Sequence, residues 1–221
     1  MKSLVIFDLD GTLLNTVADI AAATNHALSA NGYPERTVEE IRSFIGNGIN
    51  KLFERALPEG SKGMEEVLRI RASFIPYYNE HGCDATMPFP GIPELLGALD
   101  GKGIKLAVAS NKYNEATCRL IRTYFPGIRF SSVLGQRDGI PTKPDPAVIY
   151  EICSEAGIGI PEDRESILYV GDSEVDMLTG ANAGIPTVGV TWGCKTREQL
   201  EKHGPVATVD RPAEIFGIAY P

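Results

Sequence analysis

Six short apolar runs recur along the chain: SLVIFD, IKLAVAS, SSVLG, ILYVGD, PTVGVT and VATVD. Most are separated by stretches that carry apolar residues at helical spacing, among them EATCRLIRTYF, DPAVIYEICSEAG and EVDMLTGANAG. The last two end on glycine, a common helix terminator. Parallel strands cannot be joined by a tight turn and need a crossover, usually a helix. Strands that are apolar almost throughout are buried on both faces. The alternation therefore predicts an α/β fold, a Rossmann-like parallel sheet covered by helices on both sides.

One region breaks the alternation. Between about residues 16 and 87 no convincing strand occurs. VADIAAATNHALSANG places Val17, Ile20, Ala21, Thr24 and Leu28 on one helical face and stops at Gly32. TVEEIRSFIGNG opens on a capping-box pattern, Thr37 to Glu40, and stops at Gly46. MEEVLRIRASFIPYYNEHG is the longest helical stretch, and MPFPG, residues 87–91, reads as a rigid turn. The expected organisation is a core of residues 1–15 and 88–221, with an all-helical insert over residues 16–87. An insert at that point hangs over the carboxyl ends of the strands, the edge where open α/β sheets bind ligands.

The residues at those strand ends are chemically unusual. SLVIF runs into Asp8 and Asp10, and IKLAVA runs into Ser110 and Asn111. Lys143 stands in TKPDP, ahead of a helix; ILYVG runs into Asp172, with Asp176 four residues on. A parallel sheet brings these loops to one edge, so four carboxylates, a lysine, a hydroxyl and an amide share one cleft. Carboxylates repel: at ~4 Å and an effective dielectric of ~20, each pair costs about 4 kcal/mol. An oxygen-rich acidic cage suits a hard cation, and Mg2+ binds through one or two carboxylates plus a substrate phosphate. Ser110, Asn111, backbone amides and Lys143 are then the candidates for binding that phosphate. Gly11 lets the turn after Asp8 tighten. Asp8 and Asp10, two apart on a continuing strand, face the same way. One can attack phosphorus while the other serves as acid and then base.

GNGINK, residues 46–51, follows a helix and not a strand, which excludes a dinucleotide-binding loop. No GxxxxGK[ST] occurs, which excludes a P-loop. Backbone amides near Gly46, Asn47 and Gly48, at the start of the next helix, favour an anionic group, and Lys51 can add a point charge. These four residues are the candidate substrate contacts of the insert.

A net charge of -8 makes nucleic acid and anionic membranes poor partners. No run reaches the ~18 apolar residues of a membrane span, and no signal-peptide pattern opens the chain. Cys83, Cys118, Cys153 and Cys194 lie far apart with no CxxC pair, as reduced thiols in a cytoplasmic protein would. His26, His81 and His203 show no metal-ligand spacing, and Trp192 reads as a packing residue.

DLDGT, the serine of ASNK, the lysine of TKPDP, and GDSEVD stand in the order of the four motifs of the haloacid dehalogenase superfamily. The chain resembles that superfamily over essentially its whole length. The helical insert is similar to the family's C1-type cap. FIGNGINKL, SNK, KPDP and NAGIPTVGVTWG resemble its phosphoglycolate phosphatase-like branch. The resemblance implies a Mg2+-dependent phosphomonoester hydrolase working through an aspartyl-phosphate. Asp8 is then the nucleophile and Asp10 the general acid and base. Asp8, the backbone carbonyl of Asp10 and Asp172 hold the metal, with Asp176 close by in its shell. Ser110 and Lys143 bind the phosphoryl group. The implied partner is a small phosphorylated metabolite such as 2-phosphoglycolate; monomer and homodimer both stay open.

Asn15 stands where many members carry Asp, at the cap hinge. Ile20 stands where sugar phosphomutases of the family carry a cap histidine, which weakens that alternative. True dehalogenases lack a carboxylate at the position of Asp10. A non-catalytic phospho-accepting receiver is a rival from another class, with a similar set of acids, hydroxyl and lysine around Mg2+. Receivers are shorter, have no insert after the first strand and place the accepting Asp on a middle strand. A scaffold that has lost its activity is opposed by the intact constellation.

Overall fold

The computed structural model describes residues 1–160 and 162–221. Its strands are β1 (Leu4–Phe7), β2 (Leu14–Asn15), β3 (Met87–Pro88), β4 (Lys105–Tyr113), β5 (Phe130–Gln136), β6 (Ile167–Gly171), β7 (Thr187–Val190) and β8 (Ala207–Val209). Six of them form one parallel sheet in the order β5-β4-β1-β6-β7-β8. β1 lies between β4 and β6, so its carboxyl end opens at the middle of the sheet edge.

The period-2 alternation of β1 feeds two cores. Val5 and Phe7 pack with Ile92, Leu96 and Leu99 of helix α5 (Ile92–Gly101) and Ile215 of α10 (Pro212–Ala219). Leu4 and Ile6 pack on the other face with Ile149 and Ile152 of α7 (Ala147–Ala156). All four β1 side chains are fully buried, each worth about 1.5–3 kcal/mol relative to exposure. The expected α/β architecture is therefore present, with apolar layers on both sides of the sheet. α6 (Asn114–Tyr124), α8 (Glu174–Ala183) and α9 (Arg197–Glu201) complete the helices that flank it.

Between β2 and β3 run α1 (Val17–Ala30), α2 (Val38–Phe44), α3 (Ile49–Ala56) and α4 (Met64–His81). They gather a third core, in which Leu28, Ile41, Phe53, Ile70 and Phe74 meet. The capping box at Thr37 forms: its hydroxyl accepts from the Glu40 amide, and the Glu40 carboxylate accepts from the Thr37 amide. The segment at residues 87–91 holds the expected turn at its end, where the Ile92 amide donates to the Phe89 carbonyl at 3.1 Å, and a short strand before it. Met87 and Pro88 pair antiparallel with Asn15 and Leu14, because the chain leaves the sheet and returns to it side by side. Asp19, buried in the first turn of α1, fastens the same junction. Its carboxylate accepts from the amides of Ala85 (2.9 Å) and Thr86 (2.8 Å) and from the Thr86 hydroxyl (2.7 Å). Among the described residues, no helix is long and apolar enough to cross a membrane.

Candidate active site

The chain beyond β1 stays in register with its neighbour, since the Asp8 amide donates to the Val170 carbonyl at 2.9 Å. This places Asp8 beside the end of β6, where Asp172 follows Gly171. Ser110, Asn111 and Lys112 lie in the last part of β4. Lys143 comes from the loop that leads into α7, and Asp176 from the first turn of α8. Asp8, Asp10, Ser110, Asn111, Lys143, Asp172 and Asp176 all line one cleft between the sheet edge and α1–α4.

Lys143 is the centre of the arrangement and is only 4% exposed. Its ammonium donates to Asp8 Oδ1 (2.8 Å), Asp176 Oδ1 (2.8 Å), the Ala109 carbonyl (2.9 Å) and the Tyr169 hydroxyl (2.9 Å). A buried cation needs such partners. Burial alone would lower its pKa, but Asp176 and Asp8 override it and raise the pKa well above that of an ordinary lysine. Asp176 is equally committed: Tyr169 donates to Oδ1 at 2.8 Å, and the Ser173 amide (3.1 Å) and hydroxyl (2.6 Å) donate to Oδ2. Its carboxylate both fixes Lys143 and closes a capping box at the start of α8.

Asp172 accepts from the Thr12 hydroxyl (3.2 Å) and the Cys194 amide (2.6 Å). A Cβ at Gly11 or at Gly193 would collide with this carboxylate, so glycine is required on both sides of it. Burial, then the charge of Asp176, pushes Asp172 up to about 7. Burial also pushes Asp8 well above the usual carboxylate range, against the pull of Lys143 and with Asp176 and Asp172 adding to the rise. Oxygens of Asp8, Asp172 and Asp176 lie within 4.8 Å of one another, and all three residues are buried. These all-oxygen donors fit a hard divalent cation, whose charge would offset the burial and the mutual repulsion that favour protonation.

The Asp10 carboxylate has different partners. Thr16 donates to its Oδ1 at 2.6 Å, and Lys112 approaches its two oxygens at 3.2 and 3.4 Å. Ser110 is buried, and its hydroxyl accepts from the Lys112 amide at 3.2 Å. Asn111 is turned away from the role expected of it. Its amide nitrogen donates to the Gly46 and Lys143 carbonyls, each at 3.0 Å, and its Oδ1 accepts from the Lys143 amide at 2.9 Å. Both of its donor hydrogens are used within the protein, so the side chain braces Lys143 and the insert loop and has none left for a phosphate.

Gly46 and Gly48 line the cleft; Asn47 and Lys51 do not. Asn47 Oδ1 accepts from Arg55 at 2.8 Å. Lys51 is an exposed residue paired with Glu54 at 2.6 Å. The helical period explains this: Ile49, Leu52, Phe53 and Ala56 take the buried face of α3, which turns position 51 outward.

Two further side chains belong to the site. Tyr169 joins Lys143 to Asp176 from inside β6, where its sequence context is that of a core residue. Lys112 is buried beside Asp10. It stands in SNK, directly after Ser110 and Asn111, in a stretch of β4 whose pairing with β5 is irregular between Ala109 and Tyr113.

Residues 5–190 match the family described as haloacid dehalogenase-like hydrolase. The chain is 33% identical over 221 residues to the phosphoglycolate phosphatase of Haemophilus influenzae strain Rd, covering 97% of each chain. It is 32% identical to that of Psychrobacter arcticus, covering 95% of this chain and 92% of that one. A solved structure of a candidate phosphoglycolate phosphatase from Lactobacillus delbrueckii subsp. bulgaricus superposes with a TM-score of 0.89 at 35% identity, covering 99% of both chains. With its sheet order, its strand-end aspartates and these matches over nearly the full length, the chain belongs to the haloacid dehalogenase-like hydrolase family.

Proposed function

We propose that this phosphatase hydrolyses a small phosphomonoester, 2-phosphoglycolate foremost, through a phosphate ester formed on Asp8. The observation that carries the reading is the separation of Asp8 and Asp10 into two environments. Asp8 sits in the buried carboxylate group beside Lys143; Asp10 is held apart by Thr16 and Lys112. One carboxylate is thus placed to attack and the other to move protons.

An oxygen of Asp8 attacks phosphorus as the ester O–P bond breaks, and protonated Asp10 gives its proton to the leaving oxygen. Asp10 then takes a proton from water, whose oxygen attacks the same phosphorus and breaks the Asp8 O–P bond. The Ser110 hydroxyl binds the phosphoryl oxygens, and the Lys143 ammonium, held 2.8 Å from Asp8, supplies positive charge beside them. Asp8, the Asp10 carbonyl and Asp172 would hold Mg2+, with Asp176 behind them; the bound ion would supply positive charge against the phosphate dianion. Helices α1–α4, residues 16–87 with their flanks, act as a cap over the cleft. The two-stranded ribbon β2–β3 and the Asp19 contacts form its base. Ile20 presents an apolar side chain to the cleft, which gives a phosphomutase no proton-transfer group there.

Rapid-quench labelling with a 32P-phosphomonoester tests the division of labour. Asp8→Asn should form no phosphoenzyme. Asp10→Asn should still label Asp8 from a substrate with a good leaving group, yet hydrolyse the ester slowly, since no base activates water. Equal labelling of both variants would sink the assignment.

A further inference from the structure

Lys112, which holds Asp10 apart from Asp8, also lines the cleft. Four carboxylates and three ammonium groups line the cleft, the latter being Lys112, Lys143 and Lys195. A divalent cation makes that set net positive, which suits a substrate with more charge than one phosphate. Lys143 already has four acceptors at 2.8–2.9 Å. Lys195 pairs with Glu174 at 3.4 Å on the side where Cys194 meets Asp172. The wall contributed by α1–α4 is made of Ile20, Ile45, Gly46, Gly48, Ile49, Leu52 and Phe74, so it brings no charged side chain to the cleft among the described residues.

Lys112 differs from both other lysines. Its side chain is 6% exposed, yet among the described residues its carboxylate contacts, to Asp10, are 3.2 and 3.4 Å long. A well-formed charge-assisted bond is about 2.7–2.9 Å. The ammonium lies 4.5 Å from the centre of the Tyr78 ring, which stabilises it as a cation without using its N–H groups for a carboxylate. Lys112 therefore holds a secured charge in the cleft with only long contacts to a carboxylate. It sits two residues beyond Ser110 at the end of β4, where the pairing with β5 is irregular between Ala109 and Tyr113, and it lines the same cleft as Ser110.

We propose that Lys112 binds the second anionic group of the substrate and thereby selects phosphomonoesters of short acids. The inference rests on the phosphatase reading and adds to it the residue that chooses the substrate class. The sheet side of the cleft, and not the apolar wall opposite, recognises both ends of the molecule.

The test compares kcat/KM for 2-phosphoglycolate and for ethyl phosphate, which has similar size and no acid. Lys112→Gln and Lys112→Met should each lower the ratio of the two constants at least tenfold, mainly through KM for phosphoglycolate. Met keeps the aliphatic stem against Tyr78, so the pair of variants covers a folding defect in either one. Lys112→Arg should restore most of the ratio, and Lys195→Gln, which removes a charge from the same cleft, should leave it unchanged. An equal fall for both substrates would mean that Lys112 only positions Asp10 and would overturn the proposal. So would a shift of the ratio on Lys195→Gln alone. A wild-type protein inactive on both esters would instead overturn the phosphatase reading, and this inference with it.

Discussion

Lys143 lies 2.8 Å from Asp176 and the same distance from Asp8, so the Asp176 carboxylate sets the position of the cation beside the proposed nucleophile. Asp176 has its oxygens occupied by Lys143, Tyr169 and Ser173, which leaves it as a positioning residue. Asp176→Asn keeps the shape and removes the charge. One charge-assisted hydrogen bond is worth about 1.5–3 kcal/mol, which corresponds to roughly 10–100-fold in rate if it is lost in the transition state. Hydrolysis of p-nitrophenyl phosphate should slow by that factor in a protein that remains folded. An undiminished rate would reduce Asp176 to the capping residue of α8.

The carboxylate group also fixes how stability should depend on pH and metal. Asp172 holds its proton in the folded, metal-free protein up to about pH 7, against an ordinary value of 3.8. Between those values the folded state binds more protons than the unfolded one. Its contribution to stability is therefore complete below about pH 4 and is lost as pH rises through 7. A divalent cation needs the deprotonated ligand, so the metal should stabilise more at pH 8 than at pH 5. Thermal melts with Mg2+ and with EDTA at the two pH values measure this. EDTA should also abolish turnover, and Mg2+ should restore it. A Mg2+-induced shift in Tm as large at pH 5 as at pH 8, or full activity in chelator, would contradict the site.

Much of this was legible in the sequence because it is local. An apolar run that ends in Asp8, or in Asp172, announces a buried strand and a strand-end acid within a few residues. Topology then carries these acids to one edge without further information. The contacts that give each residue its task are not local. Lys143 meets Asp8 across 135 residues of sequence, and Asp10 meets Lys112 across 102. Asn111 looked like a phosphate ligand because it follows Ser110, but its hydrogen-bond partners are set by a loop 32 residues away and by Gly46. Lys51 looked like a substrate contact from its distance to Gly48, but the apolar positions of α3 decide which way it faces. Helix α5 carries a legible apolar stripe, Ile92, Leu95, Leu96 and Leu99. α9 spans five residues, too few for a periodic signal. Asp19 gave no signal at all, since its partners Ala85 and Thr86 lie more than 60 residues on.

Asn111 offers a direct test of brace against ligand. Its amide joins the Lys143 backbone to the Gly46 carbonyl, and so ties the phosphate-site lysine to the loop that enters α3. Asn111→Ala leaves the Lys143 amide and carbonyl without these partners in a buried place, at a cost of about 1–3 kcal/mol. Asn111→Asp keeps the acceptor but turns the two donated bonds into contacts between oxygens, and should be at least as damaging. Both variants should lower the melting temperature and kcat, because Lys143 is held less firmly. Inhibition by inorganic phosphate separates the two roles. If the side chain is a brace, the inhibition constant should change much less than kcat. If it is a phosphate ligand, the inhibition constant should rise in step with the loss of kcat/KM. Steady-state kinetics with phosphate as a competitive inhibitor, alongside a urea titration of each variant, decides between them.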